Sequence, residues 1–551
     1  MRRIIPYILA VLVYNSCMSQ KTPSYTTVEG TTVPLHGVAA RILALVEYGL
    51  PSSLLEALNL LREKTVRESE FGRTMAAVIR MIMESIYPDI PVELPPFDPS
   101  QSHPYTKALR YVNDGVYVYP VSARPDYLEY ILPFFALLSE QYTGTFDHAV
   151  QDLQKGAALR SDAVLAPYFL ALIDEHSNRL DEALRGFETV YQRTPEMYPA
   201  GIGIVRIYIT RSQFAEALNS AEQVYALFPT YTSVVQTLAL AYYYSKKWAE
   251  AENILAAIVA QEPSNSIFCL LYASVLVEER QFFRAQPYVE QFMVHNPRNR
   301  LALFLSARIQ AEGYRNTEAA LGHIRALTSS SFADDDASVY AIQLLRQSAR
   351  AEDQADAQSL LNRLLALNDP SLAILNVGVE EAIKNRAWLQ AEQYILLIMR
   401  NRKLPSDLLN ACIIYKELNI PKALQIAQEL YQKYPQYEEG VLAYIAILID
   451  SGQKDKAHTL IEQHITESKK GAVKSRYYYL RSRTQTGEES IIADLRLSIF
   501  ENPRNIDTII ALFLFYHTKN DKTRAQFYFR QALSIDPQHP QVQQYRNQYS
   551  A

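Results

Sequence analysis

An all-α array of helix hairpins is what the sequence predicts, and a fixed period carries the prediction. Ala149, Ala183, Ala217, Ala251, Ala285 and Ala319 stand 34 residues apart without a slip. Pro195, Pro229, Pro263 and Pro297 keep the same beat, each twelve residues behind its alanine. Glycine is scarce, at 17 of 551 residues, which suits a chain that is nearly all helix. A constant period over so much chain marks stacked units, each unable to bury its apolar face alone.

The stretch Thr230 to Pro263 shows what one period encodes. Val234, Leu238, Ala239 and Tyr242 recur at three- and four-residue spacing, on one face of a first helix. Ser245-Lys246-Lys247 makes a polar turn, and Trp248, Ala251, Ile254, Leu255 and Ile258 form a second stripe. Pro263 ends the pair, because proline has no N–H and biases its predecessor away from helical geometry. The periodic alanines stand where the second helix must come close to the first. The beat then slips once: Ala319 to Ala357 is 38 residues, four over the period and about one helical turn. Ala391, Ala423, Ala457, Ile491 and Ala525 follow, with Pro435, Pro503 and Pro537 behind three of them.

With Ala239, Tyr242, Ala251 and Pro263 in one unit, and Ala273, Leu276, Ala285 and Pro297 in the next, the sequence resembles the tetratricopeptide repeat. That family's pattern places a small residue eighth, a large apolar one eleventh, alanine twentieth and proline thirty-second. The leading tryptophan of the pattern is absent here, and alanine or a larger residue replaces glycine at the eighth place. The resemblance runs from Tyr127 to about Gln543, roughly three quarters of the chain. It implies a right-handed α-solenoid of about twelve hairpins, in two blocks at 127–330 and 331–551. The packing alanines are expected at Ala149, Ala183, Ala217, Ala251, Ala285, Ala319, Ala357, Ala391, Ala423, Ala457 and Ala525. Ser329 to Ser331 and Asp334 to Asp336 mark the slip. A lengthened, solvated turn is preferred there over a cation site, since the spaced ligands and glycine of a calcium loop are missing.

In the family, first helices line a concave groove, faced by their second, fifth, sixth, ninth, twelfth and thirteenth positions. Carried onto this chain, the resemblance implies a groove of Ile202, Arg206, Gln236, Leu240, Tyr243, Tyr244, Ser274, Glu278, Arg308 and Glu312, with Tyr415 and Cys412 at such positions further on. Ile202 occupies one place of the lysine and asparagine clamp that some relatives use for a C-terminal carboxylate, so that clamp is absent. A mixed polar and aromatic groove suits an extended peptide or a folded partner's surface. The 38 tyrosines agree, because tyrosine buries area while keeping a polar handle.

The N-terminus predicts export. Met1-Arg2-Arg3 is positive, Ile4 to Val13 is apolar and too short to span a bilayer, and Ser16-Cys17 follows at once. This resembles a bacterial lipoprotein signal of the looser, spirochaete type, cut before Cys17 and acylated on it; Asn15 and Tyr14 depart from the usual box. The alternative is an ordinary secretory signal or an uncleaved anchor. Residues 1–17 are thus read as signal, and 18–35, rich in Ser, Thr and Lys, as a flexible tether reaching at most about 60 Å. Residues 36–87 carry three helical stretches, with Pro51 placed to start the second, and are expected to cap the first repeat. Residues 88–126 are a Pro-rich insertion in which Gly115 to Tyr119 alternates like a strand.

No chemistry is legible. His-Glu-x-x-His, Gly-x4-Gly-Lys and Gly-x-Ser-x-Gly are all missing, so no cofactor, metal or catalytic residue is assigned and the chain is not expected to be an enzyme. Gly201-Ile202-Gly203 falls inside a first helix rather than after a strand. Cys269 and Cys412 stand too far apart for a metal or redox pair, and His458 and His464 point to different faces. A net charge of −5 offers no general attraction for nucleic acid, and Arg476, Arg481 and Arg483 read as a solvated basic patch beside Lys469 and Lys470. The expected function is a lipid-anchored scaffold that assembles proteins at the cell envelope, on its periplasmic face or outer surface. Alternatives are an adhesin that binds host molecules, and a non-catalytic subunit that recruits an enzyme.

Overall fold

The computed structural model describes residues 24–26, 31–93, 126–139, 147–329, 335–468 and 471–549. Contacts group the chain into two compact units, Met1–Pro297 with Arg308–Asn316, and Arg298–Ala307 with Thr317–Ala551. The first unit holds the hairpins Tyr127–Ser139 with Asp147–Leu159, Leu165–His176 with Leu180–Arg193, Tyr198–Thr210 with Phe214–Leu227, Thr232–Tyr244 with Trp248–Gln261, and Ser266–Glu278 with Phe282–His295. The second holds Asp336–Gln347 with Ala351–Leu365, Leu372–Lys384 with Trp388–Asn401, Pro405–Leu418 with Ile420–Lys433, Glu438–Asp450 with Lys454–Glu467, Gly471–Thr484 with Glu488–Glu501, and Ile506–Thr518 with Lys522–Ile535. A last helix, Pro540–Tyr549, lays Tyr545 and Tyr549 against Phe513 and closes that end. Arg300–Arg308 and Thr317–Ser329 form one more pair, whose residues fall in both units. The all-α expectation and its count of about twelve hairpins hold.

Four successive hairpin turns of the first unit are closed the same way. Asn178, Ser212, Lys246 and Arg280 take left-handed backbone, 34 residues apart, with φ of 57 to 59°. That conformation costs a residue with a Cβ about 1–2 kcal/mol. Two backbone bonds hold it: for Lys246, its own N–H reaches Tyr243 O at 3.0 Å and the next N–H reaches Tyr242 O at 3.0 Å. This is a Schellman closure built without glycine. Five residues after each left-handed residue comes the packing alanine: Ala183, Ala217, Ala251 and Ala285 are all buried. Ala149, Ala357, Ala391, Ala423, Ala457 and Ala525 are buried as well.

Ala319 departs from this rule. The first helix Arg300–Arg308 runs on as a π turn, Ile309–Gly313, which adds one residue before the hairpin turn. The left-handed residue is therefore Arg315, 35 rather than 34 after Arg280. Five residues on stands Ala320, fully buried, while Ala319 is only part-buried. The expected packing role of Ala319 belongs to Ala320. Ala320 to Ala357 is then 37 residues, so one extra residue of the slip sits in the π turn and three come later. Of the acidic run, Asp335 caps the helix Asp336–Gln347 by accepting from Ser338 N at 2.8 Å, and it pairs with Arg300 at 3.0 Å.

The expected tether is partly structured. Ser24–Thr26 and Thr32–Pro34 pair as antiparallel strands, and the buried Tyr25 ring meets Phe71 edge-on at 5.2 Å. Residues 24–26 and 31–35 thus belong to the cap rather than to a flexible linker. Strands of three residues are too short to show a period, which is why the sequence hides them. The cap helices Gly37–Tyr48, Pro51–Leu60, Lys64–Arg67 and Glu70–Ile86 also reach further than the first repeat. Glu47 pairs with Arg160, Ser52 donates to Glu196 at 2.7 Å, and Tyr87 donates to Gly49 O at 2.9 Å. Asp89 accepts from Ser233 N at 2.9 Å, so the cap follows the N-terminal ends of three successive first helices. Cys17, residues 1–23, residues 94–125 with Gly115 to Tyr119, and Ser330 to Asp334 lie outside the described residues. Among the described residues no helix is long and apolar enough to cross a membrane.

Two measurements follow from this packing. Ala320→Leu is expected to destabilise the fold by roughly 1–3 kcal/mol through overpacking, and Ala319→Leu by clearly less; denaturant unfolding of the two variants gives the comparison, and equal costs would contradict the π-shifted register. Burial lifts both Glu47 and Glu129 to about 7, against the Arg160 guanidinium facing Glu47 and with Asp126 beside both adding to the rise. A carboxyl whose folded value lies above its unfolded one near 4.5 lends stability below that value, and the stability is lost as pH rises through 7. Amide exchange over residues 37–60, corrected for intrinsic rates, should accelerate from pH 5.5 to 7.5, and Glu47→Gln with Glu129→Gln should flatten the trend.

Candidate partner-binding surface

First helices of successive hairpins touch one another. In the first unit Leu165–His176 packs on Tyr198–Thr210, and that helix on Thr232–Tyr244; in the second, Pro405–Leu418, Glu438–Asp450 and Gly471–Thr484 follow one another likewise. The end of one first helix therefore lies beside the middle of the next, and side chains 30 or 31 residues apart meet. Arg206 pairs with Glu175 through two parallel bonds, the second at 2.5 Å. The hydroxyls of Tyr243 and Ser274 hydrogen-bond to each other at 3.0 Å. Arg308 sits between Glu278 and Glu312, 3.0 Å from the latter. The second unit repeats the device with Arg346 and Glu381 at 2.9 Å, and with Asp450 held by Lys416 at 3.2 Å and Arg483 at 2.5 Å.

Burial works against the charge of Arg206, but the Glu175 carboxylate more than offsets it and holds the guanidinium above its ordinary value. The same balance raises Arg308, where burial opposes and Glu312 and Glu278 prevail. Each half-exposed pair is worth only about 0–1 kcal/mol after screening by solvent and salt. Their effect is positional: the pairs between first helices tie one repeat to the next and fix which side chains the first-helix face presents.

Of the residues expected in the groove, Arg206, Tyr243, Ser274, Glu278 and Arg308 join this strip of inter-repeat pairs, and Glu312 is tied to it through Arg308 on its own helix. Ser274 is buried beneath Tyr243. Ile202 packs on the core and Leu240 is part-buried beside the strip. Gln236 reaches Glu262 only at 3.5 Å, the outer limit of a hydrogen bond. Tyr244 turns toward the hairpin turn and stacks on Phe214 at 5.8 Å, while meeting Tyr243 edge-on at 5.3 Å. Glu175, Asp450, Arg346 and Arg483 were not singled out for the face by the sequence reading; opposite charges recurring 30 to 35 residues apart are the signal that finds them.

Other sequence features resolve into packing. Tyr415 is buried with Lys422 Nζ 3.8 Å over its ring, so it is not on the face. Cys412 is buried too, and burial pushes its thiol up to about 12. A Cβ on Gly203 would stand 2.9 Å from the Phe187 ring, which is why that helix needs glycine there. Arg476 pairs with Glu439, Arg481 with Glu462 and Asp494, and Arg483 with Asp450, so the arginines of the basic patch are neutralised, while Lys469 and Lys470 lie outside the described residues. His458 bonds to Thr484 at 2.9 Å while His464 stacks on Tyr477 at 5.8 Å. A cavity of about 310 Å³ opens on the second-helix side, lined by Tyr191, Gly201, Ile204, Tyr208 and Val224 among others. Among the described residues no three His, Cys, Asp or Glu side chains gather as metal ligands.

Residues 208–274 match the family model of the tetratricopeptide repeat. Over those residues the chain is similar to the tetratricopeptide repeat family. Solved structures similar to it include yeast Tom70, at 14% identity over 74% of this chain and 91% of that one, with a TM-score of 0.33. Another is Pseudomonas aeruginosa PilF, at 17% identity over 42% of this chain and 95% of that one, with a TM-score of 0.32. A tetratricopeptide repeat protein from Parabacteroides merdae is similar at 11% identity over 59% and 96%, with a TM-score of 0.28. No curated protein sequence matches the chain. The matched segment contains Tyr243, Tyr244, Trp248 and Ser274, so the Tyr243–Ser274 link and the turn aromatics lie within recognised tetratricopeptide sequence.

Because Cys412 is sealed under its repeat, a thiol reagent such as Ellman's at pH 8 should leave it unmodified in the folded chain and label it fully in denaturant. Rapid labelling of Cys412 under native conditions would mean that this hairpin opens.

Proposed function

We propose that this chain is a tetratricopeptide scaffold for protein partners, exported and held at the bacterial cell envelope by a lipid on Cys17. The observation that carries the binding role is the strip of pairs from Glu175 and Arg206 through Tyr243 and Ser274 to Glu278, Arg308 and Glu312. Polar groups locked to one another before a partner arrives lose little freedom on binding, which is what a preorganised docking face requires. Tyr243 supplies a rigid aromatic contact beside them. Support for the envelope comes from the charged start, the apolar stretch Ile4 to Val13 and Cys17 behind it.

The swap Glu175→Arg with Arg206→Glu keeps the ion pair while reversing the charges the face presents. It should leave thermal stability within about 0.5 kcal/mol, as a surface change does, and should reduce capture of cross-linked partners from native membranes. Undiminished capture by the swapped chain would remove the first-helix face from the binding role. Cys17→Ser should move the protein from the membrane fraction to the soluble one, and unchanged fractionation would count against the lipid. Protease treatment of intact cells separates outward presentation from a periplasmic location.

A further inference from the structure

The hairpin turns of the first unit form a second edge beside the first-helix face, and it carries cations that have no partner among the described residues. Lys246, Arg280 and Arg315 occupy the left-handed position of three consecutive turns and are exposed. Their side chains make no ion pair and no hydrogen bond among the described residues. The contrast with the two preceding turns is plain: Arg179 is tied to Asp174 at 2.7 Å and Arg211 to Asp181 at 2.5 Å.

Two aromatic pairs bridge neighbouring turns beside these cations: Tyr244 stacks on Phe214, and Phe283 meets Tyr314 edge-on at 5.0 Å. Phe283 is 66% exposed, Tyr314 44% and Tyr244 40%, so each pair keeps a face toward solvent. Gly313 allows the last of them to form: a Cβ there would stand 2.7 Å from Phe282, and Tyr314 follows it directly. The chain is net negative at −5, yet this edge gathers three cations without partners among the described residues. Glu216 and Glu250, exposed within the first turn of their second helices, repel a uniformly charged polymer and favour a ligand that spaces its charges.

We propose that this turn edge binds an extended acidic peptide with a carboxylate at every third residue and apolar side chains between. Packed helices stand about 8–10 Å apart, and an extended chain in the polyproline II conformation presents the same face every three residues, about 9 Å further on. One cation per hairpin therefore meets every third residue of the ligand. Its apolar side chains reach the Phe214–Tyr244 and Phe283–Tyr314 pairs. The three cations and these two pairs lie outside the strip of first-helix pairs.

Fluorescence anisotropy with the full chain tests it, using a fluorescein-labelled twelve-residue peptide of repeating Glu-Tyr-Ser and an isomer whose four glutamates are clustered. The spaced peptide should bind at least tenfold more tightly than the clustered one. Lys246→Glu, Arg280→Glu and Arg315→Glu together should weaken it at least tenfold, and Phe283→Ala with Tyr314→Ala at least threefold, with helical circular dichroism unchanged in both. The swapped Glu175 and Arg206 chain should bind it as the parent does. Equal affinity for the two peptides, undiminished binding by either variant, a loss in the swapped chain, or tighter binding of an oligothymidylate would each overturn the proposal.

Discussion

Everything in this molecule depends on how closely two helices approach at one alanine. Ala183, Ala217, Ala251 and Ala285 are buried where the second helix of a hairpin crosses the first, and a methyl group is all the gap admits. That approach fixes the length of each hairpin, and so the place of the left-handed residue five positions earlier. It also sets the tilt that brings the end of one first helix against the middle of the next. The Glu175–Arg206 and Tyr243–Ser274 links are consequences of that geometry, since partners 31 residues apart meet only if each hairpin keeps its length.

Polar groups in this chain define register more than they add stability. The exposed pairs of the first-helix face are individually weak. In the second unit a fully buried counterpart exists: Ser475 and Ser498 face each other at 2.9 Å, Thr508 meets Ser498 at 2.7 Å, and Asn505 donates to Ser475 at 2.9 Å. Each of these hydroxyls has a partner, so the seam avoids the cost of an orphaned polar group while requiring one alignment of its helices. A one-residue slip would leave all of them unsatisfied. Stacked repeats risk slipping in just this way, because their apolar faces are so alike.

Where the sequence reading fell short, the cause was local in each case. The period of the alanines pointed to Ala319, but a π turn is decided by how Ile309 to Gly313 packs, and nothing in those five side chains announces it. The strands at 24–26 and 32–34 are too short for alternation to register, and they form because Tyr25 finds Phe71 some 46 residues away. Tyr244 and Tyr415 stand at face positions by count, yet one turns to Phe214 and the other sinks under Lys422. The reach of the cap to Ser233 rests on Asp89, a single residue at the edge of a Pro-rich stretch.

The sequence by itself determined the class, the period, the hairpin boundaries and most of the packing alanines, because these follow from local rules: helical spacing of apolar residues, proline at the end, a small residue at the crossing. Only the tertiary structure decided which polar residues are committed to one another and which stand free. Arg206 and Arg280 look alike in the sequence, each a cation in or beside a first helix. One lies 31 residues from a carboxylate that the stacking brings within 2.5 Å, and the other sits on a turn where no described residue supplies an acceptor. Charge pairing between repeats is a property of their spacing in three dimensions, and the linear pattern encodes that spacing only after the helices have packed.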